Sequence, residues 1–257
     1  MLSPEQTKNW HDDGFFIVPN FAPRSVCKSM LDRAIEISRS TAAGQTVANV
    51  LLLPEAKENT VAQNPEDRVS KVFRLHRDSV FKKFAERTDL LDLIQDLLGP
   101  DIDCFLSQFI FKNRGAMGQP WHQDSFYFPF DKKPQVGIWL AVTEATLENG
   151  CLHVLPGSHR EPIHEHIRDR RPEANYGYTE IVDHDMSRAI SVLMNPGDLL
   201  VFHSHLMHCS TDNVSNGIRA AMVWHYTPAG TIDGSLEKYG RPTVVHDFMP
   251  VRRRIAA

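Results

Sequence analysis

Nowhere does the 257-residue sequence contain an apolar run approaching the ~18 residues needed to cross a bilayer, so no membrane partner is expected. Positive charge is not in excess either. Twenty-eight Lys and Arg stand against 32 Asp and Glu, for a formal net charge of -4, which argues against a nucleic-acid partner because such a partner usually leaves a basic stripe. The short run Arg252-Arg253-Arg254 reads as a solvated tail. Cysteine is scarce, with only Cys27, Cys104, Cys151 and Cys209, all far apart and without a CxxC pair. That spacing excludes a zinc ribbon or a redox dithiol, and a disulfide scaffold would need a shorter, Cys-denser chain. Reduced thiols in a cytoplasmic protein are the expectation. The opening "MLSPEQTKNWHDDG" is charged and has no apolar stretch of the kind a secretory leader needs, so none is expected. Internal repeats and low-complexity segments are absent as well.

What is present is the composition of an ordinary globular chain, 42% hydrophobic and 23% charged, with length for a substantial core. Ser3, followed by Pro4, Glu5 and Gln6, predicts a capped helix start that Gly14 ends, after which "FFIVPNF" reads as a short strand. Helical periodicity recurs from about Ser25 to Arg39 and from Thr88 to Leu98, where Gly99 and Pro100 stop it. Beyond residue 100 the texture becomes β-like: "CFLSQFIF", "QVGIWLAVT", "GCLHVLP", "DLLVFHSH" and "RAAMVWHY", separated by turn signals such as Asn149-Gly150 and Pro196-Gly197. Short strands at regular spacing suggest a jelly roll or barrel. The polar stretch from about 160 to 188 reads as a long loop or lid inserted between strands. The expected plan is one domain over residues 1–257, with a helix-rich support at 1–100 and an all-β core at 101–257.

The chemistry centres on "QPWHQDSFYFPF", which places His122 two residues from Asp124 among aromatics. In an extended strand, residues two apart share a face, so one imidazole and one carboxylate can aim at a common point. Two ligands hold a catalytic metal poorly. A third is available in "HSHLMHCS", from His203, His205 or His208. Two histidines and one carboxylate on one face of a metal, with positions left open, form the donor set of non-haem iron(II) oxygenases. HxD alone is a common chance pattern. Arg219, 11 residues after His208 on the next expected strand, adds a guanidinium able to grip a small dicarboxylate in a two-pronged salt bridge.

Taken together, "DDGFFIVPNF", "HQDSFYFPF", "NGCLHVLPGSH", "GDLLVFHSHLMHCS" and the arginine of "NVSNGIRAAM" resemble the phytanoyl-CoA dioxygenase family of iron(II)- and 2-oxoglutarate-dependent oxygenases, in order and spacing, over most of the chain. The resemblance implies a mainly β protein with flanking helices: a double-stranded β-helix core of the cupin-like jelly-roll type and an α-helical N-terminal part. It implies iron ligation by His122, Asp124 and His208, with Arg219 and the hydroxyl of Ser210 on the far carboxylate of 2-oxoglutarate. Lys71, Gln108, Gln123 and Trp139 fall at further positions that line the co-substrate in relatives, although Gln108 stands where a methionine is usual. The bland readings are a core aromatic for Trp139, a solvated lysine for Lys71, and structural roles for His153 and His225.

The activity implied is hydroxylation with dioxygen, releasing succinate and carbon dioxide. The carboxylate of Asp124 favours it over halogenation, because related halogenases lack that carboxylate. The substrate stays open between a small organic metabolite and an acyl-CoA, whose phosphates Lys132, Lys133, Arg168, Arg170 and Arg171 could meet. The alternative is a cupin-like metal-binding or ligand-binding protein without oxygenase activity. The sequence carries no signal for oligomeric state.

Overall fold

The computed structural model describes residues 1–55, 62–172 and 178–254. Its strands are β1 (Phe15–Val18), β2 (Leu51–Pro54), β3 (Val69–Phe73), β4 (Ile102–Lys112), β5 (Val136–Ala141), β6 (Leu152–Val154), β7 (Ile167–Arg168), β8 (Thr179–Glu180), β9 (Ile190–Val192), β10 (Leu199–His203), β11 (His208–Ser210), β12 (Arg219–Pro228) and β13 (Met249–Arg252). The helices are α1 (Pro4–Asp12), α2 (Arg24–Ala42), α3 (Ser79–Ala85), α4 (Thr88–Leu98) and α5 (Ser235–Tyr239).

Helix α1 begins where the capping pattern places it. Ser3 Oγ accepts from the Gln6 amide at 3.1 Å, and the Gln6 side chain accepts from Ser3 N at 2.8 Å. Beyond its end Gly14 takes φ +84°, a left-handed conformation that suits glycine. Helix α4 covers the span its periodicity predicts and buries Leu90, Leu91 and Ile94.

An eight-stranded sheet runs in the order β1-β10-β5-β12-β4-β3-β2, with β13 also paired to β4. A three-stranded sheet, β11-β6-β9, makes up the other wall of a jelly-roll core. Strand β12 shows how the large sheet is used. Ala220, Met222, Trp224 and Tyr226 belong to the core shared with α2, α3 and α4, where Trp224 stacks on Phe84 with centroids 4.9 Å apart. Ala221 and Val223 alternate with them and pack toward the small sheet, together with Trp139, Leu200, Phe202, Val154 and Val192. A sheet covered on both faces reads as continuous apolar runs, which is why these strands lack a polar alternation.

Residues 1–100 hold four of the helices but also contribute β1, β2 and β3 to the large sheet, so the sheet crosses the boundary drawn from the sequence. The β2–β3 hairpin was not legible because "LLLP" and "VSKVF" are short and carry no turn signature of their own. Between 160 and 188, β7 and β8 form a two-stranded ribbon anchored to the body by Ile181 N on Trp121 O at 2.9 Å and by Tyr127 OH with Thr179 Oγ1 at 2.8 Å. Residues 173–177 of this span lie outside the described residues.

Candidate metal centre

His122 and Asp124 do not sit in a regular strand. His122 forms an isolated antiparallel bridge with His208, each backbone N–H donating to the other's carbonyl at 3.0 Å, and Asp124 opens a short 3-10 turn to Phe126. Gln123 between them is extended, with φ -115° and ψ 127°, so the two side chains still share a face. The bridge brings His208 of β11 opposite His122, and this backbone pairing selects it over its neighbours in "HSHLMHCS". His205 packs against His203 and is not in the converging group, and His203 lies against Trp10 and His159.

The three side chains converge. Asp124 Oδ1 lies 3.5 Å from His122 Nε2 and 3.8 Å from His208 Nε2, and all three residues are buried. Nδ1 of His122 faces Pro120 O at 2.8 Å and Nδ1 of His208 faces Leu206 O at 2.9 Å. A carbonyl can only accept, so each Nδ1 carries the proton and each Nε2 keeps its lone pair for the centre. Burial, reinforced by the neighbouring His122, pushes the His208 imidazole down to about 4, which keeps that lone pair free. Burial alone would raise the Asp124 carboxyl. The surrounding imidazoles and the hydrogen bond that His225 Nε2 donates outweigh it and hold the group well below the ordinary carboxylate range. Two neutral imidazoles and one carboxylate, aimed at one point and oriented from behind, form a donor set suited to a divalent transition metal.

Two residues that the sequence reading passed over complete the surroundings. His225, read there as structural, places Nε2 at 2.8 Å from Asp124 Oδ2, while its Nδ1 is buried without a partner among the described residues. Nε2 is therefore the donor, and it fixes the carboxylate so that Oδ1 faces the histidines. The parity of β12 could have found it, since residues 219, 221, 223 and 225 share a face. Gln119 donates its amide to His122 Nε2 at 3.0 Å and accepts from Lys71 Nζ at 3.3 Å. His225→Phe should keep the ring's bulk, remove the hydrogen bond, and weaken metal affinity by about 10–100-fold, the usual cost of losing a ligand-orienting partner. Metal titration of the purified variant checks this, and unchanged affinity would mean that the bond does not hold the carboxylate.

The centre opens on a cavity of about 350 Å³ lined by both sheets. Lys71, Gln108, Trp139, Ser210 and Arg219 all line it. Arg219 is 1% exposed and gives Nε and Nη2 to Gly150 O at 3.2 and 2.9 Å. Its Nη1 is buried with no partner among the described residues, and so is Trp139 Nε1. Burial lowers the guanidinium only to about 10, so it remains a cation. Lys112, unremarked in the sequence, lies opposite Arg219 across the β4–β12 pairing and donates to Ser210 Oγ at 2.8 Å. Burial and the nearby Arg219 charge pull its ammonium well below the ordinary range.

Gln123 corrects the sequence reading. It is fully buried but not on the cavity wall: its amide donates to Pro162 O and His205 O and accepts from His164 N at 2.8 Å. Lying between His122 and Asp124 in extended backbone, Gln123 faces the opposite way, into the base of the inserted segment. None of the five basic residues considered for acyl-CoA phosphates lines the cavity. Arg170 pairs with Glu180 at 2.5 Å, Arg171 with Asp169 at 2.6 Å, and Lys132 donates to Ala229 O at 2.6 Å.

A family model described as phytanoyl-CoA dioxygenase matches residues 10–221. Among curated proteins, the peroxisomal phytanoyl-CoA dioxygenase of Bos taurus is 28% identical over 259 residues, covering 93% of this chain and 74% of its own length. Among solved structures, a non-heme monooxygenase, ThoJ in its apo form, superposes with a TM-score of 0.69 at 22% identity, covering 96% of this chain and 84% of that one. EvdO2 from Micromonospora carbonacea var. aurantiaca, complexed with 2-oxoglutarate, gives a TM-score of 0.64 at 20% identity, covering 91% of this chain and 93% of its own.

Proposed function

The chain belongs to the phytanoyl-CoA dioxygenase family, and from that premise we propose that it hydroxylates a small organic metabolite at the His122, Asp124 and His208 centre, with 2-oxoglutarate as co-substrate. It is an iron(II)- and 2-oxoglutarate-dependent oxygenase. The single observation that carries the site assignment is the pairing of two unmet demands across one cavity. Three buried ligand atoms converge within 4.8 Å of one another, and the buried Nη1 of Arg219 finds no hydrogen-bond partner among the described residues. Iron(II) answers the first and the far carboxylate of 2-oxoglutarate the second.

When bound, iron supplies the oxidative chemistry that couples dioxygen to decarboxylation of 2-oxoglutarate and oxidation of the substrate. The residues do the rest. His122, Asp124 and His208 hold the ion, with His225 and two backbone carbonyls fixing their orientation. Arg219 and Ser210 receive the co-substrate's far carboxylate, and Trp139, whose ring lies 5.5 Å from the guanidinium, shields that pair from water. Gln119, whose amide faces His122 Nε2, would yield that position to a bound ion, and Lys71 holds the Gln119 side chain through its oxygen. The outer cavity, with Leu106, Phe128, Thr243, Val245 and His246, receives the substrate.

This outer part is mostly apolar and, among the described residues, brings none of the five basic residues considered for phosphates to its wall, which favours a small metabolite over an acyl-CoA. Succinate and carbon dioxide are the expected co-products. No described helix is long and apolar enough to cross a membrane, and the four free cysteines fit a reducing compartment such as the cytoplasm, the location proposed. The 160–188 span is proposed to act as a lid, because Tyr178 at its β8 end lines the cavity and Lys71 lies 4.8 Å from that ring. Hydrogen exchange in the described parts of this span should slow when 2-oxoglutarate and substrate bind, and strong protection already present without ligand would contradict a lid. The reading as a whole is tested by screening metabolite pools for compounds that stimulate succinate formation with iron(II) and 2-oxoglutarate. A pool containing an acyl-CoA as the only stimulant would overturn the small-metabolite assignment.

A further inference from the structure

Outside the cavity, among the described residues, one more group of metal-ligating side chains converges. Glu161 and His164 follow β6, and His184 returns from beyond β8, 20 residues later in the chain than His164. His164 Nε2 and His184 Nε2 both lie on the same carboxylate oxygen, Glu161 Oε2, at 2.9 and 2.8 Å. The two rings meet edge to face, with centroids 5.0 Å apart and an interplanar angle of 87°. The three donor atoms lie within 4.8 Å of one another, and all three residues are half-buried.

The hydrogen-bond arithmetic of this cluster is uneven. His184 faces an acceptor at each ring nitrogen, Asp185 O at 3.1 Å from Nδ1 and Glu161 Oε2 at 2.8 Å from Nε2. A neutral imidazole has one N–H and can serve only one of them. With Nδ1 donating, Nε2 must carry either a second proton or a cation. Nδ1 bound to a backbone carbonyl, with Nε2 aimed at a shared carboxylate, repeats what His122 and His208 do at the iron centre.

We propose that Glu161, His164 and His184 form a second divalent-metal site, suited to zinc and separate from the iron centre. Two imidazoles and one carboxylate, with partial solvent access left for a water ligand, satisfy the tetrahedral preference of zinc without a thiolate. The ion would act as a clip. It ties the start of the inserted segment to its end, and the same start carries Pro162 O and His164 N, which hold the Gln123 amide between His122 and Asp124. His166 stacks on Phe126 at 4.1 Å and accepts from Gln123 N at 3.0 Å, so the clipped segment is seated directly behind the HxD turn.

The test uses the full chain, stripped with chelator and dialysed against zinc at micromolar concentration. His208→Ala, which damages the iron centre, should retain one equivalent of zinc, and adding Glu161→Gln or His184→Ala should remove it. Zinc should also raise the thermal midpoint of His208→Ala and leave that of His208→Ala/Glu161→Gln unchanged, provided both give the circular dichroism of the folded parent. Equal zinc content in His208→Ala and His208→Ala/Glu161→Gln would overturn the proposal, as would no bound zinc in His208→Ala. In that case the cluster is two imidazoles hydrogen-bonded to Glu161 and nothing more. Neither result bears on the oxygenase reading, because iron loading of the wild type is measured separately.

Discussion

His208→Ala is expected to abolish both stoichiometric iron(II) binding and turnover, whereas His205→Ala should retain iron close to the wild-type level. The two histidines are three positions apart in "HSHLMHCS", yet the fold treats them differently. His208 is the bridge partner of His122, and its Nε2 lies 3.8 Å from Asp124 Oδ1. His205 contacts His203, and its backbone carbonyl, not its ring, serves Gln123. His122→Ala and Asp124→Ala should behave as His208→Ala does, since a three-ligand set reduced to two holds a catalytic metal poorly. Iron content after anaerobic loading and desalting, measured beside turnover, checks all four variants. Iron lost from His205→Ala and kept by His208→Ala would reverse the assignment of the third ligand.

The proposed site residues were legible where the chain carries several functional groups in one short block. His122, Asp124, His208 and Arg219 stand in such blocks, and the fold brings all four to one cavity. His225 was hidden because it is a single histidine inside the apolar run "RAAMVWHY", and only its strand parity links it to Arg219. Lys112 ends β4 and resembles any lysine at a strand terminus until the β4–β12 register sets it opposite Arg219. Gln123 was misplaced for a related reason: alternation assigns a residue to a face but does not say what lies there. The helices α1 and α4 were readable from caps and periodicity, which are local signals. The β2–β3 hairpin depends on pairing with β4, a long-range contact that short strands do not announce.

The second large effect belongs to Arg219. On the proposed assignment, removing its guanidinium leaves the co-substrate's far carboxylate buried and unpaired, and truncating one partner of a buried, hydrogen-bonded charge pair costs about 2–5 kcal/mol. At about 1.4 kcal/mol per tenfold, Arg219→Ala should weaken 2-oxoglutarate binding roughly 30-fold to several thousand-fold. Arg219→Lys keeps the charge and loses the planar fork, along with one or both of the bonds to Gly150 O that orient it. It should fall between the wild type and alanine. Iron affinity without co-substrate should stay near wild type in both variants, because Arg219 contributes no ligand atom to the centre.

The measurement that bears most directly on the central claim is therefore an anaerobic titration of 2-oxoglutarate into the iron-loaded wild type, Arg219→Lys and Arg219→Ala. The account predicts saturation at one equivalent in the wild type, weaker binding in Arg219→Lys and much weaker binding in Arg219→Ala, with iron retained throughout. Affinity for 2-oxoglutarate that is unchanged in Arg219→Ala, or absent in the iron-loaded wild type, would contradict the assignment of this cavity as the co-substrate site.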